Sequence, residues 1–150
     1  MSFRGEHRHS LDAKSRLILP IKFRDTLGDS IIFLKGIDKC LFGFTTEAFA
    51  ALEGKSRETP ITNETNRRNE RLFFSSTDER EFDSQGRVVI MQNLRDYAGI
   101  TKDVVVLGLP KRIEIWDAQT WDKYCNGDTS YITEHNRNNE MAEYMALLGI

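Results

Sequence analysis

Short runs of apolar residues alternate with polar turns along this chain, and other segments repeat apolar residues every three or four positions. The short runs are typical of strands, and the longer spacing is typical of helices. The first part of the chain predicts four strands and two helices. The strands lie at 5–11, 16–19, 31–35 and 40–44, one helix runs from Pro20 to Gly28, and the other is capped by Thr45 or Thr46.

The same pattern recurs in the second half of the chain. Residues 12–28 align with 83–99 at a constant offset of 71, and residues 31–49 align with 103–121 at an offset of 72. Turn, apolar and aromatic positions coincide, which predicts two copies of one structural unit. The second copy predicts a turn at 83–86, a helix at 91–97, strands at 104–109 and 113–116, and a helix from Asp117.

The repeat divides the chain into four segments. We expect a first unit at 5–52, a linker and helix at 53–76, a second unit at 77–124, and a tail at 125–150 with a short amphipathic helix. Within the second segment, 54–59 is interpreted as a polar linker. A unit of this size buries too little surface alone, so the copies should share one core with pseudo-two-fold symmetry. The pattern predicts a mixed α+β protein, mainly β, built as a small barrel or sandwich.

The tail helix has one apolar face, formed by Met141, Tyr144, Met145 and Leu148. This face suits either docking on the protein's own domain or an arm onto a neighbouring subunit. Phe49, Trp116 and Trp121 occupy places in the repeat that favour core packing.

Composition limits the class of protein. The chain has 150 residues, 39% hydrophobic and 29% charged, and no apolar run approaches the ~20 residues of a membrane span. These features exclude a transmembrane protein and a largely disordered one. The opening segment is polar and basic, so we expect no export and a cytoplasmic location. Cys40 and Cys125 lie far apart in sequence and should be reduced.

Charge is distributed unevenly between the two copies. The chain carries 21 Lys and Arg against 23 Asp and Glu, a net charge of −2, which argues against coating nucleic acid with the whole surface. Residues 1–24 have six cations and two anions, a net charge of +4, whereas residues 77–95 have three cations and four anions, a net charge of −1. The strands at 5–11 and 16–19 are predicted to form one hairpin, and the turn at 83–86 to form a second. Because phosphate contact requires positive charge, the first predicted hairpin is the favoured nucleic-acid contact.

An aspartate opens each predicted turn, and an arginine follows it four residues later. Asp12 and Asp83 can accept hydrogen bonds from the next backbone amides and fix the turns, which places Arg16 and Arg87 on rigid projections. Their planar guanidinium groups can contact a phosphate or a guanine edge at two points. The alternative is that each arginine folds back on its aspartate as a structural ion pair.

Three further cations complete the candidate DNA-binding set: Lys14 at the first turn, and Arg4 and Arg8 in the basic N-terminal segment. Arg4 and Lys14 also have a simpler interpretation as solvated surface residues. His7 and His9 alternate on one predicted strand and could begin a zinc site, but the sequence supplies no convincing further ligands. We therefore expect no metal and no cofactor.

These features together resemble the MraZ family of bacterial transcriptional regulators. The resemblance covers about residues 3–124, and it is carried by Phe3-Arg4-Gly5, the turns at 12–16 and 83–87, the run at 67–72, and Glu114-Ile-Trp-Asp117 followed by Trp121. It implies a duplicated, swapped-hairpin AbrB-type barrel with two SpoVT-AbrB-type units. It also implies a ring-like homo-oligomer, associated with the nucleoid, that binds short direct repeats in double-stranded DNA upstream of its own operon in the division and cell-wall gene cluster.

One position departs from the family pattern D-x-x-G-R. The pattern is intact in the second copy, where Gly86 occupies the turn, but Ser15 stands at the equivalent place in the first copy. If the backbone there is left-handed, the side chain costs on the order of 1–2 kcal/mol.

The sequence thus predicts a sequence-specific DNA-binding regulator, a repressor, with no membrane partner and no small-molecule substrate. A non-enzymatic protein–protein adaptor with the same fold is one alternative, since AbrB-like folds also present surfaces to partner proteins. A hydrolase that uses Asp12 and Asp83 is a second alternative. The usual catalytic and phosphate-binding motifs are missing from the sequence, so we expect no enzymatic activity.

Overall fold

The structure, a computed structural model, describes residues 2–128 and 139–150. The first half contains β1 (Gly5–Ser10), β2 (Arg16–Ile18), α1 (Ile21–Leu27), β3 (Ser30–Lys35), β4 (Leu41–Phe44) and α2 (Thr46–Glu58), and α3 (Glu64–Ser75) follows. The same order then recurs as β5 (Asp78–Glu81), β6 (Arg87–Val89), α4 (Gln92–Ala98), β7 (Asp103–Gly108), β8 (Ile113–Asp117) and α5 (Ala118–Cys125). The last element is α6 (Asn139–Leu147). Residues 129–138 of the predicted tail lie outside the described residues.

Six strands form one antiparallel sheet in the order β1, β7, β8, β4, β3, β5, and β2 pairs with β6 in a separate two-stranded ribbon. Four of these pairings join the two halves of the chain, since β1 pairs with β7, β4 with β8, β5 with β3, and β2 with β6. The predicted mixed α+β class is confirmed, with an antiparallel sheet at the centre of the molecule.

The two predicted hairpins are correct for their turns but wrong for the pairing of their strands. The Asp12 amide donates to the Arg16 carbonyl over 3.0 Å, and the Ser15 amide donates to the Asp12 carbonyl over 2.9 Å, so the chain reverses as expected. Beyond the turn the strands separate, because β1 aligns with β7 and β2 with β6. A local pattern identifies the turn but does not reveal a partner strand about 70–100 residues away.

Both faces of the sheet are buried, which explains the nearly continuous apolar sequences of β3 and β7. Side chains alternate along a strand, so Val104 and Val106 face one core while Val105 and Leu107 face another. The first core includes residues of α1, α4 and the β2–β6 ribbon. The second includes Trp116 and residues of α2, α3 and α6. The sheet therefore separates the ribbon from the three longer packed helices.

Helix α2 is longer than predicted. It ends at Glu58, so most of the segment interpreted as a polar linker is helical. Thr45 caps its first turn by accepting a hydrogen bond from the backbone amide three residues later. Leu52 and Ser56 are both buried and lie four residues apart, so the inner face of the helix continues into the segment whose composition looked like a linker.

Helix α6 docks on its own chain, which is the first of the two interpretations of the tail. Tyr144, Met145 and Leu148 are buried in the second core. The Tyr144 ring contacts Phe73 edge to face, with centroids 6.1 Å apart, and its hydroxyl lies 3.3 Å from Ser56 Oγ. Burial raises the pKa of Tyr144. No helix within the described ranges is long and apolar enough to span a membrane.

The extended α2 generates a stability prediction at Gly54. A Cβ added there would meet nothing within 4 Å. Gly54→Ala should therefore raise the free energy of unfolding by about 1 kcal/mol, because alanine is the better helix former. Urea denaturation measures the change, and a flexible linker at this position would leave the value unaltered. Gly108→Ala should instead lower the free energy of unfolding, because the new Cβ would collide with the Arg4 backbone.

Candidate nucleic-acid interface

The β2–β6 ribbon presents both candidate arginines on one surface. Leu17 lies opposite Val88, and both side chains are buried in the first core. Because strand side chains alternate, the residues on either side of this pair point outward. We call this outward surface the ribbon face, and it is formed by Arg16, Ile18, Arg87 and Val89.

The two apolar members of the ribbon face are exposed to solvent. Ile18 is 44% exposed and Val89 is 37% exposed. Ile18 lies opposite Arg87, and Val89 lies opposite Arg16. The face therefore alternates cationic and apolar groups in both directions.

Asp12 holds the first turn and its arginine at the same time. One carboxylate oxygen, Oδ1, accepts hydrogen bonds from the backbone amides of Lys14 and Arg16, both over 2.9 Å. The other oxygen, Oδ2, accepts from Arg16 Nε over 2.7 Å. These bonds to the charged carboxylate, from the Arg16 amide first of all, lower the pKa of Asp12.

Asp83 repeats this arrangement in the second half. Its Oδ1 accepts from the backbone amides of Gln85 and Arg87, both over 2.9 Å, and its Oδ2 accepts from Arg87 Nε over 2.8 Å. Hydrogen bonding, led by the Arg87 amide, lowers the pKa of Asp83 in the same way. The two turns are chemically equivalent despite their different sequences.

The structural ion pair considered from the sequence is thus present at both turns, and it leaves the outer end of each guanidinium available. The aspartate bond uses Nε. Within 2–128 and 139–150, no acceptor bonds to the terminal nitrogens Nη1 and Nη2 of Arg16 or Arg87. Their side chains are 25% and 24% exposed. The ion pair orients each arginine without occupying its two terminal donors.

Arg24, one of the six cations in residues 1–24, adds a third guanidinium near the ribbon. Its Nε donates to the Leu19 carbonyl over 3.1 Å, and a Cβ built on Gly86 would collide with its guanidinium. An arginine from the first half therefore lies against the turn of the second half. Arg95 makes the matching bond to the Ile90 carbonyl over 3.0 Å. Arg24 and Arg95 align in the repeat, and this alignment is the sequence signal that could have marked both as candidate site residues.

Ser15, which stands in place of the glycine of D-x-x-G-R, adopts a left-handed backbone conformation. Its φ is 60°, close to the 76° of Gly86. The Ser15 carbonyl accepts a hydrogen bond from the Ile90 amide over 3.0 Å, so this turn is also tied to the opposite half. The first turn keeps the geometry of the second in spite of its side chain.

Lys14 and Arg4 lie at opposite ends of the N-terminal segment. Lys14 is exposed at the tip of the first turn, close in sequence to Arg16. Arg4 is also exposed but precedes β1, and the rise of a strand places roughly 20 Å between the two ends of β1. The structure groups Lys14 with the ribbon face and separates Arg4 from it.

Arg8 lies on the other side of the sheet. It is opposite Val105, whose side chain belongs to the second core, and cross-strand neighbours share a face. Its Nη2 bonds to Asp122 Oδ1 over 2.7 Å on α5, and hydrogen bonding to Arg8 lowers the pKa of Asp122. Arg8 is therefore not brought together with Arg16.

His7 and His9 share one face of β1, as their alternation predicts, and lie opposite Val106 and Val104. The His7 ring contacts Phe23 edge to face, with centroids 5.2 Å apart. The part of the chain that the structure describes contains no group of three or more His, Cys, Asp or Glu placed to hold a metal ion.

Fold and surface together define a mixed α+β protein whose two halves share one order of elements and which displays arginines on an exposed β-ribbon. A family model described as "MraZ protein, putative antitoxin-like" matches residues 2–72 and again residues 73–141, and the chain belongs to this family.

Similar proteins include three named "Transcriptional regulator MraZ". The one from Acetivibrio thermocellus is 46% identical over 148 residues, and the one from Clostridium tetani is 43% identical over 148 residues, with 99% of both chains covered in each case. The one from Natranaerobius thermophilus is 46% identical over 122 residues, which cover 81% of this chain and 85% of that relative.

The left-handed turn predicts the effect of changing Ser15. Ser15→Gly should raise the free energy of unfolding by about 1 kcal/mol, because glycine adopts positive φ without the penalty that a Cβ imposes. Gly86→Ala should lower it, since the new Cβ would meet Arg24 as well as an unfavourable φ. Urea denaturation of both variants tests this account, which a destabilised Ser15→Gly protein would contradict.

The lowered pKa values of Asp12 and Asp83 predict a dependence of stability on pH. The folded state holds these carboxylates in their charged form more strongly than the unfolded chain does. Their stabilisation is therefore complete above the ordinary aspartate pKa and is lost as pH falls through the lower folded value. In denaturation curves between roughly pH 6 and pH 2, a variant with both Asp12→Asn and Asp83→Asn should show a shallower loss of stability on acidification. Parallel curves for the two proteins would contradict the prediction.

Proposed function

We propose that this chain is a sequence-specific DNA-binding transcriptional regulator, acting as a repressor, and that the ribbon face is its DNA-reading surface. The observation that carries the proposal is the pair of aspartate-held arginines on the outer side of a two-stranded ribbon. The major groove of DNA is about 12 Å wide and admits a ribbon of this kind. The relatives named transcriptional regulators support the same function.

The ribbon face offers two kinds of base contact. Arg16 and Arg87 retain their terminal nitrogens, which can donate together to the O6 and N7 atoms of guanine. Ile18 and Val89 lie beside them and can contact the methyl group of thymine, the apolar feature of the major groove. Because each arginine is already oriented by its aspartate, less side-chain freedom is lost on binding.

Phosphate contacts would position the ribbon along the groove. Lys14 at the first turn and Arg24 against the second turn lie beside the ribbon face and supply the positive charge that such contacts need. Arg24 offsets the acidic neighbourhood of the second turn, which makes that turn a DNA contact too. Arg4 and Arg8 fall outside this interface, and Asp12, Asp83 and Gly86 shape it without touching DNA.

The finer features follow from the resemblance and the strand pairing. The reciprocal pairing of β1 with β7 and β5 with β3 supports a swapped-hairpin, AbrB-type barrel with pseudo-two-fold symmetry, formed by units at 5–52 and 77–124. One ribbon contacts few base pairs, so a ring-like homo-oligomer on short direct repeats would gain affinity through effective concentration. The target would be the promoter of its own operon in the division and cell-wall gene cluster.

The matched variants Arg16→Ala and Arg8→Ala test the DNA interface. Each removes one positive charge from the basic N-terminal segment, but only Arg16 belongs to the ribbon face. In a mobility shift with DNA from upstream of the gene at ~0.1 M salt, Arg16→Ala should abolish the complex while light scattering shows an unchanged oligomer. Arg8→Ala should bind nearly as well as the unmodified protein.

The salt dependence separates this proposal from its alternatives. The logarithm of the binding constant should fall linearly with the logarithm of salt concentration, with a slope of about −0.9 for each phosphate neutralised. Equal losses for Arg16→Ala and Arg8→Ala would remove the ribbon face from the interface. An adaptor protein would show no salt-dependent preference for the upstream DNA over a scrambled duplex.

A further inference from the structure

We propose that a small cavity between α3 and α6 binds an N-acyl amino acid through its amide and its carboxylate. The cavity has a volume of about 240 Å³ and is also bordered by the end of β3 and by α4. It is separate from the ribbon face, and the proposal does not depend on DNA binding.

Asn69 of α3 is the polar group that points to a ligand. Its side chain is 4% exposed and lines the cavity. Throughout residues 2–128 and 139–150, no hydrogen bond joins its carboxamide to another group. A buried amide without partners is strongly unfavourable and is rare in folded proteins. Because a carboxamide offers donors and an acceptor together, its natural complement is another amide.

Two cations define the charge of the ligand. Lys35 and Arg68 both line the cavity, and Lys35 Nζ lies 5.3 Å from the centroid of the Tyr97 ring. Neither forms an ion pair with a carboxylate in the described part of the chain. The acidic side chain among the lining residues is Glu140, so cations exceed anions and a carboxylate is the favoured charged group.

The remaining wall is apolar and limits the size of the ligand. Leu72, Met141 and Met145 line it, and Leu72 is 51% exposed. Sites for drug-sized molecules usually exceed about 300 Å³, so this cavity suits a single acylated amino acid with an apolar side chain better than a larger compound. Methionine side chains adapt readily to such a ligand.

Isothermal titration of the full chain with three probes tests the chemistry. N-acetyl-L-leucine carries the amide, the carboxylate and an apolar side chain, and it should bind with a dissociation constant on the order of 1 mM or tighter. N-acetyl-L-leucinamide lacks the charge and should bind at least tenfold more weakly. Acetate lacks the amide and should give no measurable heat. Absence of binding by N-acetyl-L-leucine, or equal binding of its neutral amide, overturns the proposal.

Variants locate the binding in this cavity. Asn69→Leu should lose binding, yet its melting temperature without ligand should rise by about 2–4 °C, because a buried unpaired amide is replaced by an apolar group of similar size. Lys35→Gln should weaken binding about tenfold. Arg71→Gln makes the same charge change on α3 outside the cavity lining and should bind like the unmodified chain. Unchanged binding by Asn69→Leu, or an equal loss in Arg71→Gln, places the ligand elsewhere and overturns the assignment.

Discussion

Backbone pairing between the two halves is the constraint on which the rest of the molecule depends. The first two strands of each half form hydrogen bonds with the other half: β1 pairs with β7, β5 pairs with β3, and β2 pairs with β6. The buried pair Leu17 and Val88 at the centre of the ribbon also joins the halves. Since an isolated two-stranded hairpin is marginal in water, neither half could form the ribbon face or the first core alone.

Within this framework, Asp12 and Asp83 each hold a turn and orient the arginine that follows it. A carboxylate that accepts two backbone amides and one guanidinium nitrogen fixes the turn and the side chain together. Exposed ion pairs contribute little to stability, so the value of this one lies in orientation. A freely moving Arg16 would lose more rotamer freedom on contact with another molecule, whereas a held one presents its terminal nitrogens in advance.

The sequence predicted what depends on local chemistry. Turns at 12–15 and 83–86, a helix cap at Thr45 or Thr46 and the apolar stripe of α6 all follow from spacing within a few residues. It did not predict the strand partners, which lie about 45–100 positions apart, or the contact between Arg24 and Gly86, which lie about 60 positions apart. The end of α2 was also not predicted, because its residues are mostly polar and its helical conformation is stabilised by packing of its inner face. Net charge calculated for each segment likewise did not reveal that Arg24 of the first half lies at the second turn.

The structure of the protein bound to DNA from upstream of its gene, determined by electron cryomicroscopy, tests the central claim most directly. We expect the β2–β6 ribbon in the major groove, with the terminal nitrogens of Arg16 and Arg87 within hydrogen-bonding distance of base edges and their Nε atoms still bonded to Asp12 and Asp83. DNA lying along the side of the sheet that carries Arg8 and α5, with the ribbon face exposed to solvent, would contradict it.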